Sequence, residues 1–347
     1  EAAPSAIVST FLRAAAESGA SDVHLEPTGA GVELRFRLDG VLRGVATLPG
    51  RLGPTLVARL KVLAGLATYR TDVPQDGRVG GDLRLSTYPT VRGEKAVVRL
   101  LGTRATAHRL SDLGLSERSR RLLEGSLAAR DGMVVLTGPA GSGKTTTLYA
   151  ALRRLAEADA VPRQVVTVED PVECLLDGVT QTETNPPLGL TFANCLRSLL
   201  RQDPEVLLVG EVRDRETAGV AIEAALTGHL VLTTIHAGTA PGVFARLLEM
   251  GLEPHLVTSV LRLALAQRLV RRLCPGCPAP AAGCPACLGT GFRGRFPIDE
   301  ALPLSPAVRA LVLERADTPR LAAAARADGF VPLAARGAAV VAEGLTT

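Results

Sequence analysis

At 347 residues and 46% hydrophobic content the chain holds enough apolar material for two domains with cores of their own, and a net charge of only +4 argues against a nucleic-acid surface held by a dominant basic patch. No apolar run reaches the roughly 20 residues that span a bilayer, and no basic region followed by a hydrophobic signal segment opens the sequence. The expectation is a cytoplasmic protein with no direct nucleic-acid partner, and its start at Glu1 rather than Met suits a piece of a longer chain.

Ile7, Phe11, Leu12 and Ala15 recur at helical spacing and predict an amphipathic helix over 6–16 that stops at Gly19. Residues 21–27 and 32–42 then alternate apolar with polar, with Asp39-Gly40 as a hairpin signal. A helix over 55–67, a turn-rich loop over 74–78 and strands over 82–86 and 95–101 complete an α+β domain spanning 1–101. Arg35, Arg37, Arg78, Arg84 and Arg99 stand at its strand and loop edges. They read either as solvated face charges or as the source of an arginine acting on a phosphate site elsewhere. Residues 102–112 have little hydrophobic periodicity and read as an interdomain linker.

A helix over about 117–129 leads into MVVLTGPAGSGKTTTLYA, residues 133–150. An apolar strand ends at Gly138, G-x-x-x-x-G-K-T runs to Thr145, and a helical run follows. Gly138, Gly141 and Gly143 permit positive φ. Together with Ala140, Ser142, Lys144, Thr145 and Thr146 they aim backbone N–H groups and a helix N-terminus at the phosphates of a nucleotide. Lys144 would reach the β- and γ-phosphates of ATP, and the Thr145 hydroxyl would ligate Mg²⁺.

Three further apolar runs at α/β spacing, 165–168, 206–209 and 230–234, predict a parallel sheet. Sheets of this kind hold their ligands at the carboxyl ends of the strands, where Glu169, Glu211 and His236 fall. Phosphoryl transfer needs a carboxylate on the metal and a group that positions water. Glu211 is assigned to Mg²⁺, Glu169 to water activation, and His236, in preference to His229 at the other end of its strand, to sensing the γ-phosphate.

Residues 254–272, apolar and basic, predict a long helix or helix pair. Cys274-Pro-Gly-Cys277 and Cys284-Pro-Ala-Cys287 follow. Four thiolates this close can surround one tetrahedral Zn²⁺ with no position open to substrate, and in a reducing compartment metal is preferred to a disulfide framework. Cys174 and Cys195 read as buried structural residues. Helices over 307–316, 318–326 and 332–343 make a small helical subdomain without visible chemistry.

The phosphate loop, VTVEDPVE (166–173), LRQDPEVLLVGEVRDRETA (200–218) and TGHLVLTTIHAGTA (227–240) resemble the Walker A, Asp, Walker B and His boxes of the bacterial ATPase family that drives type II secretion and type IV pilus assembly. SDVHLEP, RFRLDG, PQDGR and the paired cysteines extend the resemblance to nearly the whole chain. It implies a homohexameric, Mg²⁺-dependent ATPase built from a PAS-like domain, here 1–101, and a RecA-like domain, here 113–347, which includes the zinc element 274–287 and the helical subdomain 304–347. It also implies that arginines of the PAS-like domain complete the neighbouring subunit's ATP site. Arg78 and Arg84 match that role by motif position, and Arg37 less closely. The partners implied are inner-membrane platform proteins of a secretion or pilus machine at the cytoplasmic face, here without the N-terminal platform-binding domain. The tetracysteine element belongs to assembly-type members and is generally missing from retraction ATPases, which favours secretion or assembly. A DNA-uptake or conjugation-type ATPase of the same superfamily and a slow nucleotide-dependent switch remain the alternatives. A pure switch needs no water-positioning set such as Glu169, Glu211 and His236.

Overall fold

Pro4 opens the first helix, α1 (Pro4–Ser18), at a position where its missing N–H is not needed, and Gly19 closes it in the left-handed region at φ 70. The structure, a computed structural model, describes residues 3–80, 83–100, 109–157, 163–277 and 283–347. By its internal contacts the chain divides into two units, Glu1–Arg104 and Ala105–Thr347. Most of the expected linker, 102–108, lies outside the described residues, and its end, Leu110–Asp112, forms a single 3₁₀ turn.

The first unit adds β1 (Asp22–Thr28), β2 (Gly31–Leu38), β3 (Val41–Leu48), α2 (Gly53–Leu63), β4 (Gln75–Val79), β5 (Leu83–Thr90) and β6 (Gly93–Leu100). These strands form one antiparallel sheet in the order β3-β2-β1-β6-β5-β4. Alternation along the strands sends Val23, Leu25, Leu34, Phe36, Leu85 and Val98 into a core closed by Val8, Phe11, Leu56 and Leu60 of the two helices. The expected loop at 74–78 is instead strand β4. Its turn-forming composition is overridden by pairing with β5 and by Gly77, where a Cβ would stand 2.9 Å from the Ala64 carbonyl.

The second unit begins with α3 (Glu117–Leu127), β7 (Gly132–Thr137), α4 (Lys144–Glu157), β8 (Val165–Glu169) and β9 (Val179–Glu183). It continues through α5 (Phe192–Leu199), β10 (Val206–Val209), α6 (Arg215–Leu226), β11 (Leu230–Ile235), α7 (Ala240–Glu249) and α8 (Pro254–Val260). Two long strands, β12 (Leu261–Leu273) and β13 (Phe292–Pro303), precede α9 (Pro306–Leu313), α10 (Thr318–Ala327) and α11 (Leu333–Ala342). The sheet order is β13-β12-β7-β11-β10-β8-β9, parallel except for the β12–β13 pair. Met133 and Val135 face one apolar layer and Val134 and Leu136 the other, so the central strands are buried on both faces and read as unbroken hydrophobic runs.

The helix expected over 254–272 is a correction. Only Pro254–Val260 is helical, and the chain then extends as β12 alongside β7. Leu, Ala, Gln and Arg are all good helix formers. A strand buried on both faces loses the period-two signal that would have marked it, and the sheet contact outweighs propensity.

Candidate nucleotide site and cysteine cluster

The loop between β7 and α4 carries the phosphate-binding motif at the carboxyl edge of the parallel strands. Gly138 has φ 146, and a Cβ there would meet the Gln267 carbonyl at 2.4 Å and Ser142 Oγ at 2.6 Å, so only glycine lets the loop lie against β12. Gly141 and Gly143 also have positive φ, and Lys144 starts the helix. Lys144 Nζ donates to the carbonyls of Gly138 at 2.8 Å and Pro139 at 3.0 Å. Its pKa lies below the ordinary lysine value, first through burial and also through the like charge of Arg268, with Glu211 acting in the opposite sense. Thr145 and Thr146 sit half-buried in the first turn of α4, and Ala140 and Gly141 are exposed.

The ends of β8, β10 and β11 bring acidic and imidazole groups to the same edge. Glu169 is 4% exposed and accepts from the Tyr149 hydroxyl, from Thr167 Oγ1 at 2.6 Å and from Gln181 Nε2 at 3.1 Å. Glu211, just past β10, pairs with Arg213 and lies 3.5 Å from His236 Nε2. His229 is turned to a structural task at the start of β11, with Nδ1 2.9 Å from the Ala224 carbonyl.

Several residues that pattern reading missed hold this edge together. Tyr149, fully buried on α4, also accepts from the Glu173 N–H at 3.2 Å, and its pKa is pushed far up by burial and by the Glu169 hydrogen bond. Thr137 Oγ1 donates to the Ala237 carbonyl at 2.8 Å and accepts from the Ala237 N–H at 2.9 Å. Asp299 accepts from the Ser116 N–H at 2.9 Å and hydroxyl at 2.6 Å at the start of α3. Glu300, on the opposite face of β13, accepts from the N–H of Ala240 and of Leu333, both at 2.7 Å, and so caps α7 and α11 together. The only sequence signal for this pair was two adjacent acids in an otherwise apolar stretch.

The donor set fits a polyphosphate with its cation. Ser142 Oγ is buried with no partner among the described residues, beside loop N–H groups, a lysine and a threonine hydroxyl at a helix start. Lys144 and the loop N–H groups would hold the phosphates, and Thr145 and Glu211 the Mg²⁺, which would supply charge neutralisation.

In the first unit, Arg78 and Arg84 face each other across β4 and β5 and are exposed. Arg37 and Arg99 instead lie 3.6 and 3.0 Å from Asp22, and Arg35 pairs with Glu33.

All four paired cysteines converge, their sulfurs within 4.8 Å of one another. Cys274 and Cys284 are 3.7 Å apart and Cys277 and Cys287 3.5 Å, close to the edge of about 3.8 Å for a tetrahedron with Zn–S bonds of about 2.3 Å. Burial pushes the Cys287 thiol up, but N–H groups of Cys284 and Gly291, each 3.2 Å from its sulfur, outweigh this and bring it down to about 6. No cysteine is disulfide-bonded, and the set fits a structural Zn²⁺ held by Cys274, Cys277, Cys284 and Cys287. Cys195 is buried, whereas Cys174, expected to be buried, is only half-buried at the edge of the core.

A family model described as Type II/IV secretion system protein matches residues 2–347. Type II secretion system protein E of Pseudomonas aeruginosa is 42% identical over 371 residues, covering 98% of this chain and 73% of the relative. Type II secretion system ATPase E of Vibrio cholerae is 43% identical over 336 residues, covering 88% of this chain and 66% of the relative. The chain thus spans about two thirds to three quarters of the length of these relatives. Among solved structures, the Legionella pneumophila ATPase DotB superposes with a TM-score of 0.76 at 24% identity over 99% of this chain and 93% of its own, a likeness of fold. The pilus retraction motor PilT with bound ADP gives 0.64 at 25% identity, over 94% of each chain. With the family model covering almost every residue and these relatives above 40% identity, the chain belongs to the type II/IV secretion system protein family.

Proposed function

We propose that the chain is the ATPase motor of a type II secretion machine. It hydrolyses Mg²⁺-ATP at the loop 138–145 and works as a homohexamer at the cytoplasmic face of the inner membrane against platform proteins of that machine. The observation that carries this reading is the meeting of the phosphate loop, Glu211 and His236 at one sheet edge, in a chain more than 40% identical to type II secretion proteins. The second unit serves as the RecA-like domain and the first as the PAS-like domain. Glu211 holds the metal, Glu169 orders the attacking water, and His236 reports the γ-phosphate.

The cysteine cluster favours secretion or pilus assembly over retraction. Its Zn²⁺ orders the tip of the β12–β13 hairpin, which is too rich in Pro, Gly and Ala to build a core. No described helix is long and apolar enough to cross a membrane.

Arg78 and Arg84 complete the neighbouring subunit's ATP site, and an arginine supplied in this way is worth about 10³ to 10⁵ in rate. Steady-state phosphate release is to be compared for the isolated and the artificially hexamerised chain, with Arg78→Ala beside the parent. The expected result is turnover that rises on assembly and a variant that binds nucleotide as a monomer without that rise. Slow turnover indifferent to assembly would point to a switch, and an unaffected Arg78→Ala hexamer would refute the arginine's role.

A further inference from the structure

We infer that Arg268 is a positioning residue of the ATP site, a guanidinium fork that braces the loop carrying His236 against the strand beneath the phosphate loop. The inference rests on the ATPase reading above. It comes from β12, where a helix was expected and where a strand turns Arg268 toward the site.

The fork is bidentate. Nη2 donates to the Gly238 carbonyl at 2.6 Å and Nη1 to the Gln267 carbonyl at 2.8 Å. Gly238 is two residues past His236, and Gln267 O is the atom against which Gly138 packs. A Cβ on Gly138 would lie 3.1 Å from Nη1, so one side chain touches the backbone of the His236 loop and flanks the first glycine of the phosphate loop.

The rest of the His236 loop is already tied. Ala237 is held on both sides by Thr137, and the Ala240 N–H by Glu300. Gly238 lies between these ties, and the bond from Arg268 is what anchors its carbonyl. Without that bond the loop is held only at Ala237 and Ala240, and the 3.5 Å approach of His236 Nε2 to Glu211 Oε2 rests on the Ala237 ties alone. Beneath it, the Gln267 side chain is 2% exposed with Oε1 unpartnered among the described residues.

A lysine keeps the charge but is a single point donor on a flexible stem and cannot span two carbonyls as a planar fork does. A role in positioning therefore predicts that charge alone does not rescue. Misplacement of a reacting group by about 1 Å can cost on the order of 100-fold in rate.

The test uses the full zinc-loaded chain, with steady-state phosphate release and titration of a fluorescent ADP analogue. Arg268→Ala and Arg268→Lys should both lower kcat about 10- to 100-fold while analogue Kd stays within about threefold of the parent. In the His236→Ala background, adding Arg268→Ala should cost little more, because both act through one group. Recovery of kcat by Arg268→Lys would overturn the fork in favour of a charge effect. Loss of analogue binding in both variants would overturn it by placing Arg268 in phosphate binding or in the fold, and additive losses in the double variant would break the link to His236. If the parent chain shows no turnover at all, the ATPase reading fails instead.

Discussion

The hydroxyl of Tyr149 donates to Glu169 in the buried layer between α4 and the sheet, so the helix that starts at the phosphate loop is tied directly to the acid at the end of β8. The same hydroxyl accepts from the Glu173 N–H, making one phenol the joint of three segments.

Tyr149→Phe keeps the ring and removes the joint. Loss of the buried hydrogen bond to Glu169, together with the one from the Glu173 N–H, should destabilise by about 1–3 kcal/mol, as read from the urea midpoint at unchanged m. Turnover should fall more than nucleotide affinity. A rise in KM with kcat intact would instead confine Tyr149 to nucleotide binding and contradict a role in turnover.

Burial holds the Glu300 carboxyl above its ordinary value of 4.5, against the two N–H groups it caps and the nearby Arg268 charge. A raised acid favours the protonated native form. Its stabilising contribution is therefore full below the unfolded value and declines as pH rises through the raised value. Glu300→Gln removes this dependence, so the Tm of the parent relative to the variant should fall as pH rises from about 4.5 through the raised value and level off above it. A constant offset between the two curves across that range would contradict the account.

Metal analysis of the purified chain should find a single zinc, lost in Cys284→Ser, with a lower unfolding midpoint in the variant and in the parent after chelation. The cluster has little else to order it, since its own sulfurs lie together in a hairpin tip rich in Pro, Gly and Ala. Parent protein that is metal-free and equally stable would rule the zinc out.

The phosphate loop, β8, β10 and β11 could be read from sequence because each is a local pattern: glycines at fixed spacing, or an apolar run ending in a polar residue. The paired cysteines were as plain. What escaped were contacts between residues far apart in the chain. Arg268 meets Gly238 and Glu300 meets Leu333 only because β12 and β13 join the sheet, and LALAQRLVRR carries helix formers throughout. The facing of Arg78 and Arg84 was hidden likewise, since Gly77 looks like a turn until Ala64 is seen against it. Propensity is a weak prior wherever a strand is covered on both faces or an edge strand owes its place to its neighbour.

The most direct test of the motor reading is phosphate release by the Glu211→Gln chain beside the parent, with Mg²⁺-ATP binding measured on both. Glu211 lies beside His236 and acts electrostatically on Lys144, so the substitution should leave ATP bound and turnover reduced by about 100-fold or more. Near-normal turnover in the variant, or none in the parent, would contradict the account.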